Sequence, residues 1–285
     1  MKSMPNQYTM NCQGKLLDLS TPMVMGILNT TPDSFFADSR KQAVSDALET
    51  ADQMVEDGAS ILDVGGQSTR PGAHEVGIEE ELKRVIPVIT ELAKQHPETP
   101  ISIDTYHAEV ARKAIGAGAS IVNDVSGGTF DQAMFDTVGE IRVPYILMHT
   151  SGRPDVMQNS PSYTNVVTDL IKFLSARVNQ LRQLGVNDIV IDPGFGFGKS
   201  LEHNFQLLND LAMFHILDLP ILVGVSRKSM INNVLLTSPI EALNGTTALH
   251  MALLERGAHI LRVHDVKEAI EVIKLYSFAR SVAQT

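Results

Sequence analysis

The sequence has few of the features that would assign it to a class at once. Cysteine occurs only at position 12, so no disulfide can form within the chain. No apolar run approaches the roughly 20 residues that span a bilayer, and the first ten residues, MKSMPNQYTM, lack the apolar core of a signal peptide. The sequence therefore predicts a protein of the cytoplasm that is not inserted in a membrane.

Positive charge is also scarce. The formal net charge is −10 at pH 7, and no long basic run interrupts the chain. This charge balance disfavours general affinity for nucleic acid or for an anionic membrane surface. An anionic ligand would need a local cluster of basic side chains.

Three familiar kinds of site are missing. The chain has no cluster of Cys and His residues with metal-binding spacing and no G-x-S-x-G nucleophile motif. The stretch IDPGFGFGKS (191–200) resembles a phosphate-binding loop, but Pro193 occupies the place of the first glycine. Because proline has no N–H to offer a phosphate, no such loop is expected, and Lys199 is not expected to bind phosphate.

What the chain does have is a repeated unit of strand and helix. Eight short apolar runs are separated mostly by segments with helical spacing, such as 79–95, where one face carries Leu82, Val85, Ile86, Ile89 and Leu92. Four helices are predicted to end in glycine directly before a strand, in DGASILDV, GAGASIVND, LGVNDIVID and RGAHILRV. The eight predicted strands are 23–29, 61–66, 101–105, 121–127, 145–149, 189–194, 221–227 and 260–266.

Strands that are apolar almost throughout indicate parallel pairing under a cover of helices. Eight such units predict a TIM (β/α)8 barrel as a single domain over 23–285, preceded by an extension over 1–22. A hairpin around Gln13-Gly14-Lys15 could cover the barrel bottom. The alternative is a doubly wound open sheet, but NTTPDSFF follows the first strand where that fold has its glycine fingerprint.

Polar residues gather where the predicted strands end, which is where a TIM barrel builds its active site. Each alone could serve an ordinary role: Asp192 as a turn cap before Pro193, Asp104 as an N-cap of the helix near His107, and His264 as a partner of Asp265. Together they favour a site for a flat heterocycle and an anion. The strand-end residues are Asn29, Asp63, Asp104, Asn123, Asp124, His149, Asp192, Arg227, Lys228, Arg262 and His264.

A series of motifs in this order resembles the dihydropteroate synthase family of folate biosynthesis. The motifs are MGILNTTPDSF, GGQSTRPG, SIDT, NDVSGG, LMH, DPGFGFGK, GVSRKSMI and HILRVHDV. The resemblance covers nearly the whole chain after the first dozen residues. It implies condensation of 6-hydroxymethyl-7,8-dihydropterin diphosphate with p-aminobenzoate, with Mg²⁺ as cofactor, sulfonamide-type inhibitors as candidate ligands of the site, and a homodimer.

The resemblance also implies roles for individual residues. The pterin ring would be bound by Asp104, Asn123, Met148, Asp192 and Lys228. The diphosphate would be bound by Asn29, Thr69, Arg262 and His264, with Asn29 also meeting Mg²⁺. The p-aminobenzoate pocket would be formed by Phe35, Arg70, Pro71, Phe197, Lys228 and Ser229, and catalytic roles would fall to Asp33, Arg70, Asp104 and Lys228.

Departures and rivals bear on this interpretation. Gln67 stands where many members have glutamate, a change that keeps a hydrogen-bonding group of similar size.

One rival is a methyltransferase domain on a similar pterin-binding barrel, which would not need the SRKS (226–229) and RVH (262–264) segments. The other rival is a silent pterin-binding homologue, which the loss of Asn29, Lys228, Arg262 or His264 would favour; none is lost.

Overall fold

A computed structural model of the chain describes residues 8–30, 37–67, 76–153 and 163–282. Within these ranges eight parallel strands, β3 to β10, form one sheet in the order β8-β7-β6-β5-β4-β3-β10-β9. A bridge between Ile191 and Ile221 joins its two edges, so the predicted barrel is confirmed and the open sheet is wrong. The strands are β3 Met23–Asn29, β4 Ile61–Gly65, β5 Ile101–Asp104, β6 Ile121–Asp124, β7 Tyr145–Met148, β8 Ile189–Asp192, β9 Leu222–Val223 and β10 Ile260–Val263.

Helices cover the outside of the barrel and share one apolar core with the outward side chains of the strands. In the described ranges they are α1 Ala37–Glu56, α2 Ile78–Gln95, α3 Ala108–Gly116, α4 Met134–Ile141, α5 Val166–Gln183, α6 Leu201–Asn209, α7 Ser229–Leu235, α8 Leu243–Glu255 and α9 Val266–Val282, with 3₁₀ turns at Leu211–Leu217 and Pro239–Glu241. None of these helices combines the length and apolar character needed to cross a bilayer.

The helix predicted over 79–95 is α2, and its buried face differs from the prediction at three positions. Leu82, Val85, Ile89 and Leu92 are buried as expected, but Glu81 and Val88 are buried too, while Ile86 is only partly buried. Four of the expected glycine stops are confirmed, because each has a left-handed φ: 104° at Gly58, 118° at Gly118, 81° at Gly185 and 89° at Gly257.

The expected N-terminal hairpin is formed by β1 Thr9–Cys12 and β2 Lys15–Asp18. Positive φ angles of 52° at Gln13 and 91° at Gly14 make the tight turn that a two-residue hairpin loop prefers. Met10 and Cys12 are buried against inward side chains of the barrel, so the hairpin closes its N-terminal end. Burial raises the pKa of the Cys12 thiol to about 12, which keeps it protonated and unreactive.

Candidate active site

Two carboxylates and one guanidinium meet across the mouth of the barrel, which is the end formed by the C-termini of its strands. Arg262 on β10 donates from Nε to Oδ2 of Asp63, on β4, at 2.6 Å. From Nη2 it donates to Oδ2 of Asp104, the last residue of β5, at 2.7 Å. Asn123 on β6 donates from Nδ2 to the same Asp63 oxygen at 2.9 Å. Four strands are thereby joined by one polar network.

Burial governs the electrostatics of this network. Removal from water raises the pKa of Asp104 to about 7, and the charge of Arg262 only partly offsets that effect. Although burial disfavours its charge, Asp63 and Asp104 raise the pKa of Arg262 above its ordinary value. The Oδ1 atoms of Asp63 and Asp104 have no hydrogen-bond partner among the described residues. Buried acceptors of this kind suit a ligand that brings its own donors.

A third carboxylate and a second cation lie on the other side of the mouth. Asp192 ends β8 and accepts from the backbone N–H of Gly194 at 2.7 Å, so it caps a turn, which is the alternative role that the sequence offered for it. Lys228 donates to the carbonyl of Phe195 and lies 4.5 Å above the centroid of the Phe197 ring. Burial raises the pKa of Asp192, and it lowers that of Lys228 to about 8, while each group favours the charged form of the other.

Apolar side chains line the space beside these charges. Met148, the last residue of β7, is buried with Tyr106 and Val125, and Phe197 packs against this group. A flat ring can therefore contact apolar atoms on its faces while its edge meets carboxylate, amide and ammonium groups. This combination is what the sequence predicts for a heterocycle site.

His264 follows β10 and contacts Ser226, which follows β9. The Ser226 hydroxyl lies 3.0 Å from Nδ1 of His264, and the His264 backbone N–H donates to the same hydroxyl at 3.2 Å. Both Asp265 oxygens accept hydrogen bonds from Arg227, so the Asp265 carboxylate has a partner other than the one that the sequence offered for it. Arg262 and His264 lie two residues apart on one side of the strand end.

The alternative role for Asp104 as a helix cap is wrong. His107 occupies the N-cap position of α3, and its side chain makes no capping hydrogen bond. The backbone N–H of Ala108, in the first turn of the helix, donates to Oδ2 of Asp131 at 2.8 Å. Asp104 instead contacts Arg262, so its carboxylate belongs to the mouth of the barrel.

Asn29 ends β3 with an exposed side chain at the same mouth. A methyl group built on Gly65 would lie 3.8 Å from Oδ1 of Asn29 and 3.7 Å from Oδ2 of Asp104, so the two side chains flank that glycine. Ser229 is the exposed first residue of α7, directly after Lys228. The remaining predicted site residues lie outside the described ranges: Asp33, Phe35, Thr69, Arg70 and Pro71.

Lys199 is buried inside a cage of backbone carbonyls. Its ammonium donates to the carbonyls of Gly194 at 2.7 Å, Phe197 at 3.1 Å and His149 at 3.2 Å. Burial lowers the pKa of Lys199 to about 7, and burial together with Lys199 lowers that of His149 to about 3. These contacts hold the 194–198 loop against the end of β7.

Asp63 and Asp124 make contacts that their place at the strand ends did not indicate. Asp63 is fully buried in a strand whose other residues are apolar or glycine, and such a charge requires a partner. Asp124 accepts from the Tyr145 hydroxyl at 2.6 Å and from the backbone N–H groups of Ser126 at 2.7 Å and Gly128 at 2.8 Å. It therefore shapes the loop after β6.

Gln67 makes its hydrogen bond through the side-chain oxygen Oε1, an atom that glutamate also has. Its Oε1 accepts from the backbone N–H of Val76 at 2.7 Å, and the side chain is buried. A carboxylate could accept the same bond, so this contact does not distinguish the two residues.

The fold and the mouth define a (β/α)8-barrel protein whose site suits a polar heterocycle beside an anion. Residues 25–264 match the profile described as "Pterin binding enzyme", and the chain belongs to this family. It is 46% identical to the dihydropteroate synthase of Escherichia coli (strain K12) over 265 residues, covering 92% of this chain and 93% of that protein.

Solved structures agree with this family. The Yersinia pestis dihydropteroate synthase with a sulfonamide drug complex has a TM-score of 0.90 and 41% identity, covering 96% of this chain and 100% of that one. The Xanthomonas albilineans dihydropteroate synthase with 4-aminobenzoic acid has a TM-score of 0.89 and 40% identity, covering 96% and 99%.

Proposed function

We propose that the chain catalyses the dihydropteroate synthase reaction. The amine nitrogen of p-aminobenzoate bonds to the methylene carbon of 6-hydroxymethyl-7,8-dihydropterin diphosphate, the carbon–oxygen bond breaks, and diphosphate leaves with the bonding electrons. The amine then releases a proton, which gives 7,8-dihydropteroate. The observation that carries the proposal is the mouth itself, where Asp104 and Asp192 face Arg262 and Lys228 around an apolar slot.

The pterin ring lies in that slot. Asp192 accepts from the amidine-like edge of the ring, and Lys228 donates to its carbonyl side. Asn123, whose Nδ2 already donates to Asp63, offers Oδ1 to a ring N–H. Asp104 contacts a neighbouring ring nitrogen, and Met148 supplies apolar contact.

Carbon–oxygen cleavage runs ahead of amine attack, so positive charge develops on the pterin and negative charge on the diphosphate. The carboxylate of Asp104 stabilises the cationic ring, while Arg262, His264 and Thr69 bind the departing diphosphate. Charges of opposite sign on the two sides of the mouth stabilise this separation better than they stabilise the uncleaved substrate.

Mg²⁺ fits the residues present. Among the described residues no three His, Cys, Asp or Glu side chains are grouped to hold a metal, but the exposed amide of Asn29 offers one oxygen beside the mouth. Magnesium commonly takes one or two protein ligands and completes its shell with phosphate and water oxygens. Held by Asn29 and the diphosphate, it would neutralise charge on the leaving group.

The second substrate binds next to the pterin. Phe197 contacts the p-aminobenzoate ring, with Lys228 beside it and Ser229 at the start of α7. Phe35, Arg70 and Pro71 complete this pocket, and Asp33 and Arg70 assist catalysis, as the family resemblance implies. Sulfonamide-type inhibitors would occupy the same pocket.

We further propose a cytoplasmic homodimer, as the resemblance implies. Exposed apolar residues on α9, namely Leu275, Phe278 and Val282, support an interface on the late helices.

The test is to incubate the purified protein with Mg²⁺ and the pterin diphosphate, with and without p-aminobenzoate, and to measure dihydropteroate and released diphosphate. Formation of both products in equal amounts, only when p-aminobenzoate is present, supports the proposal. Tight pterin binding without product contradicts it and favours the silent homologue or the methyltransferase.

A further inference from the structure

Arg227 adopts a backbone conformation that favours glycine. The turn after β9 is closed by a bond from the Lys228 N–H to the Val225 carbonyl at 3.1 Å. Arg227 is the third residue of this turn and has φ of 56°. A turn with positive φ at its third residue normally places glycine or asparagine there, since a Cβ makes that conformation unfavourable. An arginine at this position must be held by its contacts.

Those contacts come from α8 and from the residue directly before α9. Arg227 donates from Nε to Oδ2 of Asp265 at 2.9 Å and from Nη2 to Oδ1 at 2.6 Å, which is a two-pronged ion pair. Its backbone N–H donates to Oγ1 of Thr246 on α8 at 3.1 Å, and Thr246 is buried. The side chains of Arg227 and Asp265 are 31% and 15% exposed, so the pair is well covered.

The residues on either side of Arg227 belong to the mouth. Ser226 contacts His264, and Lys228 contacts the Phe195 carbonyl and the Phe197 ring. Asp265 directly follows His264 in the chain. The ion pair therefore ties the turn that carries Lys228 to the strand end that carries Arg262 and His264.

We propose that Arg227, Asp265 and Thr246 are positioning residues, which hold the turn in its left-handed conformation and so set the places of Ser226 and Lys228 in the site. This inference rests on the proposed function for the roles of Lys228 and His264. Exposed ion pairs contribute little to stability, but this one is covered, two-pronged and attached to an unfavourable backbone conformation. Its effect is therefore expected in kinetics as well as in stability.

Two double variants that differ by one methyl group test the proposal. In Arg227→Ala/Asp265→Asn the ion pair is absent and alanine disfavours the left-handed turn. In Arg227→Gly/Asp265→Asn the pair is equally absent, but glycine adopts the turn without cost. Asparagine is chosen at 265 because asparagine and aspartate are equally favourable directly before a helix, here α9. We expect kcat/KM to fall about ten-fold in the alanine variant, with the glycine variant remaining within about three-fold of the parent.

Single variants and an unrelated ion pair serve as controls. Asp265→Asn alone should lower kcat/KM. Arg227→Lys should do the same, because the lysine ammonium cannot reproduce the two parallel hydrogen bonds of the guanidinium. Glu140→Gln, which breaks the exposed pair between Arg112 and Glu140 on α3 and α4, should leave kcat/KM unchanged. Melting temperatures and circular dichroism establish the folded fraction, to which each rate is normalised.

Pterin affinity, measured by calorimetry, gives the same comparison without turnover. If the parent protein binds pterin but forms no dihydropteroate, the proposed function fails. The positioning role is still supported in that case if the alanine variant binds pterin more weakly than the glycine variant does. Equal kcat/KM and equal pterin affinity in the two double variants, with only their melting temperatures lowered, would overturn it.

Discussion

Arg262 and Asp63 form a buried ion pair across the barrel, with Nε 2.6 Å from Oδ2, although the two residues are 199 positions apart in the chain. Asp63 is fully buried and the Arg262 side chain is 17% exposed, so neither charge is solvated well without the other. The same guanidinium contacts Asp104. A residue proposed to hold diphosphate therefore also neutralises the carboxylates beside the proposed pterin site.

Arg262→Ala should weaken binding of the pterin diphosphate much more than binding of a bare pterin. It should also lower the free energy of unfolding by about 3–5 kcal/mol, because it leaves a buried carboxylate without its partner. The double variant Arg262→Ala/Asp63→Asn should recover part of that stability but none of the diphosphate affinity. Calorimetry with the two ligands and denaturant unfolding measure both effects; equal loss of both affinities would contradict the assignment of Arg262.

Asp192→Ala should have the opposite pattern. It removes ring hydrogen bonds and should weaken binding of a bare pterin by about 1–3 kcal/mol. Asp188→Asn provides a matched control, because Asp188 directly precedes the same strand at the opposite end of the barrel. Calorimetry checks both variants, and unchanged pterin affinity in Asp192→Ala would place the ring elsewhere.

The sequence predicts the barrel because its signal is local and repeated. Each strand is apolar almost throughout, and glycines such as Gly58 and Gly118 stop the preceding helices in a left-handed turn. The parallel register then brings strand ends together, so Asp104, Asn123 and Asp192 could be predicted to face one mouth.

Long-range partners could not be predicted in the same way. The pairing of Arg262 with Asp63 depends on how the barrel closes, and the carbonyl cage around Lys199 depends on the path of a glycine-rich loop. The left-handed turn at Arg227 could not be predicted either, because arginine carries no local signal for it and its ion-pair partner, Asp265, is 38 residues away. Contacts of this kind arise from tertiary structure and override local preference.

Asn29→Ala should raise the Mg²⁺ concentration needed for half-maximal activity. The variant removes the one protein oxygen proposed to hold the metal, so the diphosphate and water must hold it alone. Asn187→Ala, at an exposed position on the opposite side of the barrel, should leave the Mg²⁺ dependence unchanged. Magnesium titrations of the initial rate check the prediction; identical curves for Asn29→Ala and the parent would exclude Asn29 as the ligand.

Lys199→Met should raise the KM for p-aminobenzoate about ten-fold, with a smaller effect on the KM for the pterin diphosphate. Methionine fills a similar space but cannot bind the carbonyls of Gly194, Phe197 and His149, so the loop that carries Phe197 loses its anchor. Lys94→Met, at an exposed helix position, should change neither KM. Steady-state kinetics with each substrate varied in turn would show whether the effect is confined to the second substrate.

His250→Leu should stabilise the protein. His250 is buried on α8, and neither ring nitrogen has a hydrogen-bond partner among the described residues, so leucine removes two unpaired polar atoms and gains about 1 kcal/mol. Burial lowers the pKa of His250 to about 4, below the value near 6.5 expected in the unfolded chain. A histidine held neutral in this way costs the native state stability as pH falls from about 6.5 towards 4, because the unfolded state binds the proton first.

The advantage of the leucine variant over the parent should therefore grow through that window and stay constant above about pH 7.5. His96→Leu should have the reverse effect on stability, since it removes the partner of Asp52, whose Oδ1 lies 2.7 Å from Nε2 of His96. Urea unfolding of the three proteins between pH 5 and pH 8 measures both differences. A difference between His250→Leu and the parent that does not change with pH would show that His250 is protonated in the folded protein as readily as in the unfolded chain.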